Sequence, residues 1–296
     1  MNKKKTLLLS LVVLLLLVGG FFGWQYLNRK NQQPDDIVDP APDPEPDPVD
    51  EEKLRLKNIW NENKAINEDY VGELFFDSGL INVSFVQAKD VYNSKGELYK
   101  FYTQNGNLVT NPAGYNGNDV YIWTYWKTGE YDYNDNGGSV FMDYLNELTD
   151  ENIVIYGHHF SVWNDASRTK AFTPLERLLD EAEYEDNKYV TMVLGDEIRR
   201  YELACVFEFN AYDYDAGLCP DLEYWRTEYN YDFYTGVRDA DYHRRYLEAI
   251  RAKQLYYTGV DLSVNDKVLT LQTCISGHTG ELFEILVFKQ ISVEPF

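Results

Sequence analysis

The chain has 296 residues, a length that suits one large domain or two small ones. Its formal net charge is −22, and the first thirty residues hold five Lys or Arg and no acid, so the remainder is more acidic still. Such a surface argues against nucleic acid and against an anionic membrane face as partners, and it suits a cationic partner or solubility alone.

The first thirty residues differ in composition from all that follows. Three lysines precede an apolar run from Thr6 to Leu27, and a helix of that length spans roughly 33 Å, enough to cross a bilayer. A cleaved signal peptide would have a shorter apolar centre. We therefore expect residues 1–30 to be a cytoplasmic tail and an uncleaved transmembrane signal anchor, with the N-terminus in the cytoplasm.

Proline alternates with acidic residues in the next stretch, PDDIVDPAPDPEPDPVDEE at 34–52. This composition favours extended polyproline geometry over a helix or a packed core. We interpret 31–53 as an acidic linker, on the order of 60 Å long at about 3.1 Å per residue. No second linker and no internal repeat follow, so 54–296 is predicted to be one domain outside the membrane.

That domain is predicted to contain many short strands and few helices. An amphipathic helix covers Leu54 to Ile66, and the stretch 91–138, rich in Tyr, Asn, Asp and Gly, is predicted to be a long surface excursion with a hairpin. The strand predictions are 74–76, 80–86, 120–126, 153–156, 189–194, 201–209, 268–274 and 282–291. Many short strands with few helices favour a barrel or a sandwich.

Two further helices interrupt the strands. One begins at Thr173-Pro174, where proline suits the first helical position. The other places Tyr242, Tyr246 and Ile250 on one face, directly before the strand that ends at a cysteine.

The three cysteines are an odd number for an exported protein. Cys205 lies in a run typical of a buried strand, and Cys219 lies in a Gly-Leu-Cys-Pro loop. Whether these two form a disulfide stays open, because two separated cysteines make no disulfide framework. Cys274 is the remaining thiol.

Cys274 closes the run Thr270-Leu-Gln-Thr-Cys, and His158 follows a second run in Tyr-Gly-His-His. Alternation puts Cys274 on one strand face with Val268, Thr270 and Gln272, and Leu269, Leu271 and Thr273 on the other. A thiol and an imidazole at strand ends are what a cysteine acyl-transfer enzyme needs. The alternatives are a buried structural cysteine, structural histidines, and a metal site, which the absence of CxxC and HExxH disfavours.

The motifs YGHHF and TLQTC resemble the two active-site motifs of the sortases, and other segments resemble class B. These are NEDYVG at 67, INVSFVQ at 81, GSVFMD at 138, and LEAI at 247 through YTGVDLSVNDKV at 257. The resemblance covers roughly 54–291. It implies a mainly β fold, an eight-stranded sortase-type β-barrel with an N-terminal helix and an extra helix before the cysteine strand.

The resemblance also implies a function. Cys274 would attack a sorting signal in a surface or pilin protein and form a thioacyl intermediate, and His158 would move protons. The acyl group would pass to an amine of the cell wall or of another pilin, at the outer side of the membrane in a Gram-positive-type envelope. No cofactor and no metal is implied, and His159 occupies a variable position and is assigned no chemistry.

The chain departs from the family pattern at the arginine expected on the strand after the cysteine, since no residue after Arg251 is arginine. Depending on alignment, Glu281, Phe283 or Glu284 takes that place. His278 or Thr279 could supply the missing oxyanion or substrate support, or Arg168 or Arg238 could fold over the site. Otherwise the protein is a weak or inactive sortase relative with a binding or regulatory role. A papain-like wall peptidase is the last alternative, and it would need a helix beginning at the cysteine.

Overall fold

Eight strands close a barrel in the part of the chain that the computed structural model describes, residues 48–132, 136–160, 169–210, 240–275 and 282–296. The barrel strands are β1 (Tyr70–Phe76), β2 (Asn82–Val86), β5 (Val140–Met142), β6 (Asn152–Tyr156), β7 (Tyr189–Val193), β8 (Glu197–Asn210), β9 (Val268–Cys274) and β10 (Leu282–Pro295). They neighbour one another in the order β1-β2-β5-β6-β9-β10-β8-β7. Two neighbouring pairs, β2 with β5 and β6 with β9, are parallel. The predicted eight-stranded barrel is confirmed.

Short helices surround this barrel. They are α1 (Pro48–Ile66), α2 (Gly117–Ile122), α3 (Tyr184–Asn187) and α4 (Ala240–Lys253), with 3-10 turns at Thr173–Leu179 and Glu181–Glu183. A separate two-stranded sheet pairs β3 (Thr124–Tyr125) with β4 (Glu130–Tyr131). The predicted N-terminal helix and the helix before the cysteine strand are both present. Helix α1 begins at Pro48, within the stretch predicted to be linker, because proline suits a first helical turn and acids there complement the helix dipole.

Two apolar clusters separate the faces of the strands, as the alternation predicts. Leu269 and Leu271 of β9 join Ile153 and Ile155 of β6 in the barrel interior. Val268 and Cys274 face the opposite way, into a second cluster that helix α4 covers through Tyr246, Leu247 and Ile250. Burying both faces explains why these strands read as nearly continuous apolar runs.

The predicted strand at 120–126 is wrong over its first half, which is helix α2. Its start is fixed by a capping box, in which the Asn116 side chain accepts from the Asn118 N–H at 2.9 Å and the Asp119 carboxylate accepts from the Asn116 N–H at 2.8 Å. These local bonds outweigh the strand preference of the aromatic and β-branched residues that follow. The eighth barrel strand is instead β5, whose three residues are too few to give a readable alternation.

The stretch 91–138 is more than a surface excursion. Phe101, Val120 and Trp126 are buried in a third apolar cluster, together with Tyr70 of β1 and Phe141 of β5. This cluster fixes helix α2 against the barrel beside the ends of β5 and β6.

Within the described residues, none of the helices combines the length and apolar character needed to span a bilayer. The predicted anchor at 1–30 lies outside those residues.

Candidate active site

His158 and Cys274 belong to two neighbouring parallel strands. In the register of β6 and β9, Tyr156 pairs with Gln272, and the Gly157 N–H donates to the Gln272 carbonyl at 3.1 Å. His158 and Cys274 each lie two residues beyond this pair, and continuation of the same register would set them side by side, on strands about 4.8 Å apart. Tyr156 and Cys274 pack against one apolar cluster, and strand alternation would turn His158 to the same side.

His158 is held by the end of helix α2. Its Nε2 lies 2.7 Å from the carbonyl oxygen of Ile122, and its ring stacks on Trp123 with centroids 4.5 Å apart and planes inclined by 32°. Burial lowers the pKa of His158, and the hydrogen bond to the Ile122 carbonyl offsets part of that effect. The imidazole is therefore neutral over a wider pH range than an exposed one.

Glycine at position 157 allows the close approach that this arrangement needs. A Cβ there would lie 2.5 Å from the ring of Phe172, which packs beneath the strand end. The Phe172 N–H donates to the His158 carbonyl at 3.1 Å, so the same contact fixes the backbone of the histidine.

His159 points to a different environment from His158. Its side chain is only 1% exposed, and its Nε2 donates to the Glu176 carboxylate at 2.7 Å. Glu176 belongs to the 3-10 turn at Thr173–Leu179, and the Phe160 N–H donates to Thr173 Oγ1 at 2.9 Å. His159 thus ties this turn to the end of β6.

The strand after the cysteine presents a phenylalanine to the site. Phe283 pairs directly with Cys274, and both belong to the cluster beneath helix α4. Glu284 pairs with Thr273 and turns to the other face of the sheet. Of the two described positions considered for the arginine, Phe283 is therefore the one that shares a face with Cys274.

Glu284 is fully buried, and within the described part of the chain neither of its carboxyl oxygens has a hydrogen-bond partner. Burial raises the pKa of Glu284 well above its ordinary value, and the negative charges of Glu176 and Glu208 add to the effect. The shift favours the protonated, neutral form of the carboxyl group over the ionised form. The Thr273 hydroxyl on the paired residue is also buried, with no hydrogen-bond partner among the described residues.

Cys274 and Cys205 lie in contrasting environments, and neither forms a disulfide. Cys205 is buried on β8, its Sγ donates to the Ile250 carbonyl at 3.3 Å, and burial raises its pKa to about 12. Cys274 ends its strand and is half-buried. Cys205 is a structural cysteine, whereas Cys274 lies at the end of its strand with part of its surface exposed.

Several residues from the sequence predictions lie outside the described part of the chain. They are His278 and Thr279, the distant candidates Arg168 and Arg238, and also Glu281 and Cys219. Among the residues that the structure does describe, no group of three or more His, Cys, Asp or Glu is placed to hold a metal ion.

Sequence reasoning missed Ile122 and Trp123 as parts of the site. The Ile122 contact uses a backbone carbonyl, which no residue pattern reveals. Trp123 falls in a stretch whose aromatic residues predict a strand. One pattern in the sequence could have predicted the helix that ends at these residues. Asn116 and Asp119 have the spacing of a capping box, which indicates a helix start.

The sequence is similar to curated bacterial proteins named sortase B, whereas no protein-family model matches it. It is 28% identical to sortase B of Staphylococcus aureus over 156 residues, 52% of this chain and 54% of that protein, so this match spans about half of the relative's length. It is 25% identical to sortase B of Listeria monocytogenes over 266 residues, which cover 86% of this chain and 84% of that protein.

The fold is similar to solved sortase B structures. That of Clostridium perfringens sortase B aligns with a TM-score of 0.56 and 26% identity, and it covers 78% of this chain and 99% of that one. The S. aureus sortase B–substrate complex aligns with a TM-score of 0.56 and 19% identity, over 82% of this chain and 89% of that one. The second match speaks for the fold alone.

Proposed function

Because this chain is a homologue of the class B sortases in sequence and in fold, we propose that it is a cysteine transpeptidase acting through Cys274 and His158. The observation that carries the proposal is the parallel register of β6 and β9, in which Tyr156 pairs with Gln272, two residues before His158 and Cys274 respectively. A strand, not a helix, ends at Cys274, which argues against a papain-like peptidase.

The reaction needs one nucleophile and one proton carrier. The Cys274 sulfur attacks the carbonyl of the scissile peptide bond and loses its proton to the imidazole of His158. His158 then protonates the leaving amine, and a thioester joins the acyl fragment to Cys274. An incoming amine gives its proton back to His158 as it attacks the thioester, and the thiol is regenerated.

We further propose that the enzyme works without the family's arginine. Phe283 takes the position beside Cys274 on the following strand and offers no hydrogen-bond donor. His278 and Thr279, which follow Cys274 in the sequence, are our candidates for oxyanion or substrate support. Arg168 and Arg238 are the alternatives, in two other segments of the chain.

The proposed substrates are surface or pilin proteins with a sorting signal, and the proposed acceptors are amines of wall peptide or pilin lysine. The similarity in sequence to proteins named sortase B supports substrates of the sortase class. The apolar run 6–27 and the acidic linker 31–53 support anchoring of the domain 54–296 on the outer side of a cell membrane.

The test incubates the full chain with a library of sorting-signal peptides and amine acceptors and records intact masses. We expect an acyl adduct and a transfer product with the wild type, and neither with Cys274→Ala. Cys205→Ala is the matched control, because it removes a cysteine that is buried on another strand. An adduct that survives Cys274→Ala would contradict the assignment of the nucleophile.

A catalytically weak or inactive protein with a binding role is the second candidate, and the phenylalanine beside Cys274 favours it. Loss of one oxyanion donor lowers rates by about 10²–10³. A folded wild type whose Cys274 is alkylated readily, yet which forms no adduct and binds a library peptide, would support this second function.

A further inference from the structure

We propose that the Ile122 carbonyl and the Trp123 ring, at the end of helix α2, position His158 for proton transfer through Nδ1. They would take the place of the side chain that commonly orients a catalytic histidine. The catalytic consequence depends on the transpeptidase function proposed above, whereas the positioning is a property of the resting protein.

The hydrogen bond to Ile122 selects one tautomer. A backbone carbonyl can only accept, so the Nε2 atom 2.7 Å from it must carry the proton. In the neutral ring, Nδ1 is then the atom with a free lone pair. Protonation adds a hydrogen at Nδ1 and leaves the bond to Ile122 intact. Proton exchange with the thiol and the two amines therefore runs through Nδ1.

Trp123 fixes the plane of the imidazole. The centroid separation of 4.5 Å and the inclination of 32° are typical of tilted, offset aromatic packing. A hydrogen bond through one nitrogen leaves the ring able to rotate about that bond. The indole face restricts that rotation and shields the ring from water. Loss of contact with water through burial is the largest cause of the lowered pKa of His158.

The end of helix α2 is itself held in place from strand β5. The Ser139 N–H donates to the Tyr121 carbonyl at 3.0 Å. Gly138 has φ +70°, and a Cβ there would lie 2.2 Å from the Ile122 oxygen. The carbonyl that binds His158 is thus fixed by backbone contacts that only glycine permits at this point.

The start of the same helix is tied to the segment after β5. Asn118 donates through its amide to the Asp143 carboxylate at 3.0 Å and accepts from the Tyr144 N–H at 2.8 Å. Tyr156, two residues before His158, donates to the same carboxylate at 2.9 Å. Helix and histidine strand therefore share Asp143 as an anchor, which sets the distance between Ile122 and His158.

The first measurement reads the tautomer in the resting protein. The full chain, with ¹⁵N-labelled histidine and the Cys274→Ala change, is studied by long-range ¹H–¹⁵N correlation, so that the thiol cannot titrate with the ring. His158→Gln identifies the resonance among the four histidines. We expect the Nε2–H form, and an Nδ1–H form would overturn the proposal.

The second measurement compares Trp123→Ala with Trp123→Phe. We expect Trp123→Ala to raise the pKa of His158 in the spectra and to lower kcat by roughly 10- to 100-fold with little change in KM, as a misplaced catalytic group does. Trp123→Phe keeps an aromatic face, so we expect its kcat and its His158 pKa to stay close to the wild-type values.

A rise in KM at unchanged kcat and unchanged pKa would show that Trp123 contacts substrate, and it would overturn the positioning role. Equal losses of kcat in Trp123→Ala and Trp123→Phe would also overturn the positioning role. The tautomer and the pKa are read without turnover, so a protein that forms no acyl adduct still decides the positioning role. Failure of the function and failure of the positioning are therefore told apart.

Discussion

The two faces of the sheet at the ends of β6, β9 and β10 carry similar residue types in opposite settings. Cys274 and Phe283 lie on the side of helix α4, and His158 follows β6 against the end of helix α2. One residue along each chain lie His159, Thr273 and Glu284. We propose a chemical role for His158 and Cys274, whereas Thr273, Glu284 and the side chain of His159 are buried.

The surroundings of each group account for the difference. His158 and Cys274 are half-buried at the barrel rim, and a backbone carbonyl holds the imidazole. His159 donates to Glu176, while Glu284 and Thr273 have buried polar atoms for which the described residues provide no hydrogen-bond partner. A shift of one residue in a strand thus exchanges a reactive group for a structural one.

The largest expected difference between the two groups is that between His158→Gln and His159→Gln. We expect His158→Gln to lower the rate of acyl transfer by about 10³-fold, because the amide cannot carry a proton. His159→Gln should cost less than about tenfold, because the amide can still donate to Glu176. The measurement is single-turnover thioacyl formation with the peptide that gives an adduct, checked against thermal unfolding of both variants.

Comparable losses in these two variants would mean that the faces do not separate chemistry from structure. A fall in melting temperature confined to His159→Gln would agree with its role in holding the 3-10 turn.

Much of this comparison could be predicted from the sequence. The alternation in Val268–Cys274 gives the two faces of β9 correctly, and the run of short strands gives the barrel. The pairing of β6 with β9 joins residues more than a hundred positions apart, so it cannot be predicted from local sequence pattern. The prediction that His158 acts together with Cys274 came from the resemblance of the motifs. Glu284 could be placed on a face only once its register with Thr273 was known.

Glu284 provides a second test, through the pH dependence of stability. Unfolded, it ionises near its ordinary pKa of 4.5; folded, its pKa is raised, so the native state keeps a proton that the unfolded state loses. Its contribution to stability is full below pH 4.5 and falls as pH rises through the native pKa, by up to about 1.4 kcal/mol per pH unit.

Glu284→Gln should therefore gain stability over the wild type as pH rises. The measurement is the free energy of unfolding in urea at about pH 5 and about pH 8. Glu294→Gln is the matched control, because Glu294 lies on the same strand as Glu284 but is exposed. An advantage that is the same at both pH values would mean that Glu284 is not protonated in the native protein.

The smallest expected effect concerns the position beside the nucleophile. Phe283→Arg places a cation on the face of Cys274, where it can stabilise a developing oxyanion, and we expect acylation to accelerate by roughly tenfold. Glu284→Arg adds the same side chain one residue along, on the opposite face of the strand. There it should give no acceleration and should destabilise the fold, because it buries a charge without a designed partner.

The measurements are the rate of adduct formation and the free energy of unfolding in urea for both variants. A folded Phe283→Arg protein with an unchanged rate would mean that another group already stabilises the oxyanion, with His278 and Thr279 first in line. Acceleration by Glu284→Arg would mean that a side chain on the opposite face of β10 reaches the reacting carbonyl. The two faces of β10 would then not differ in their access to the site.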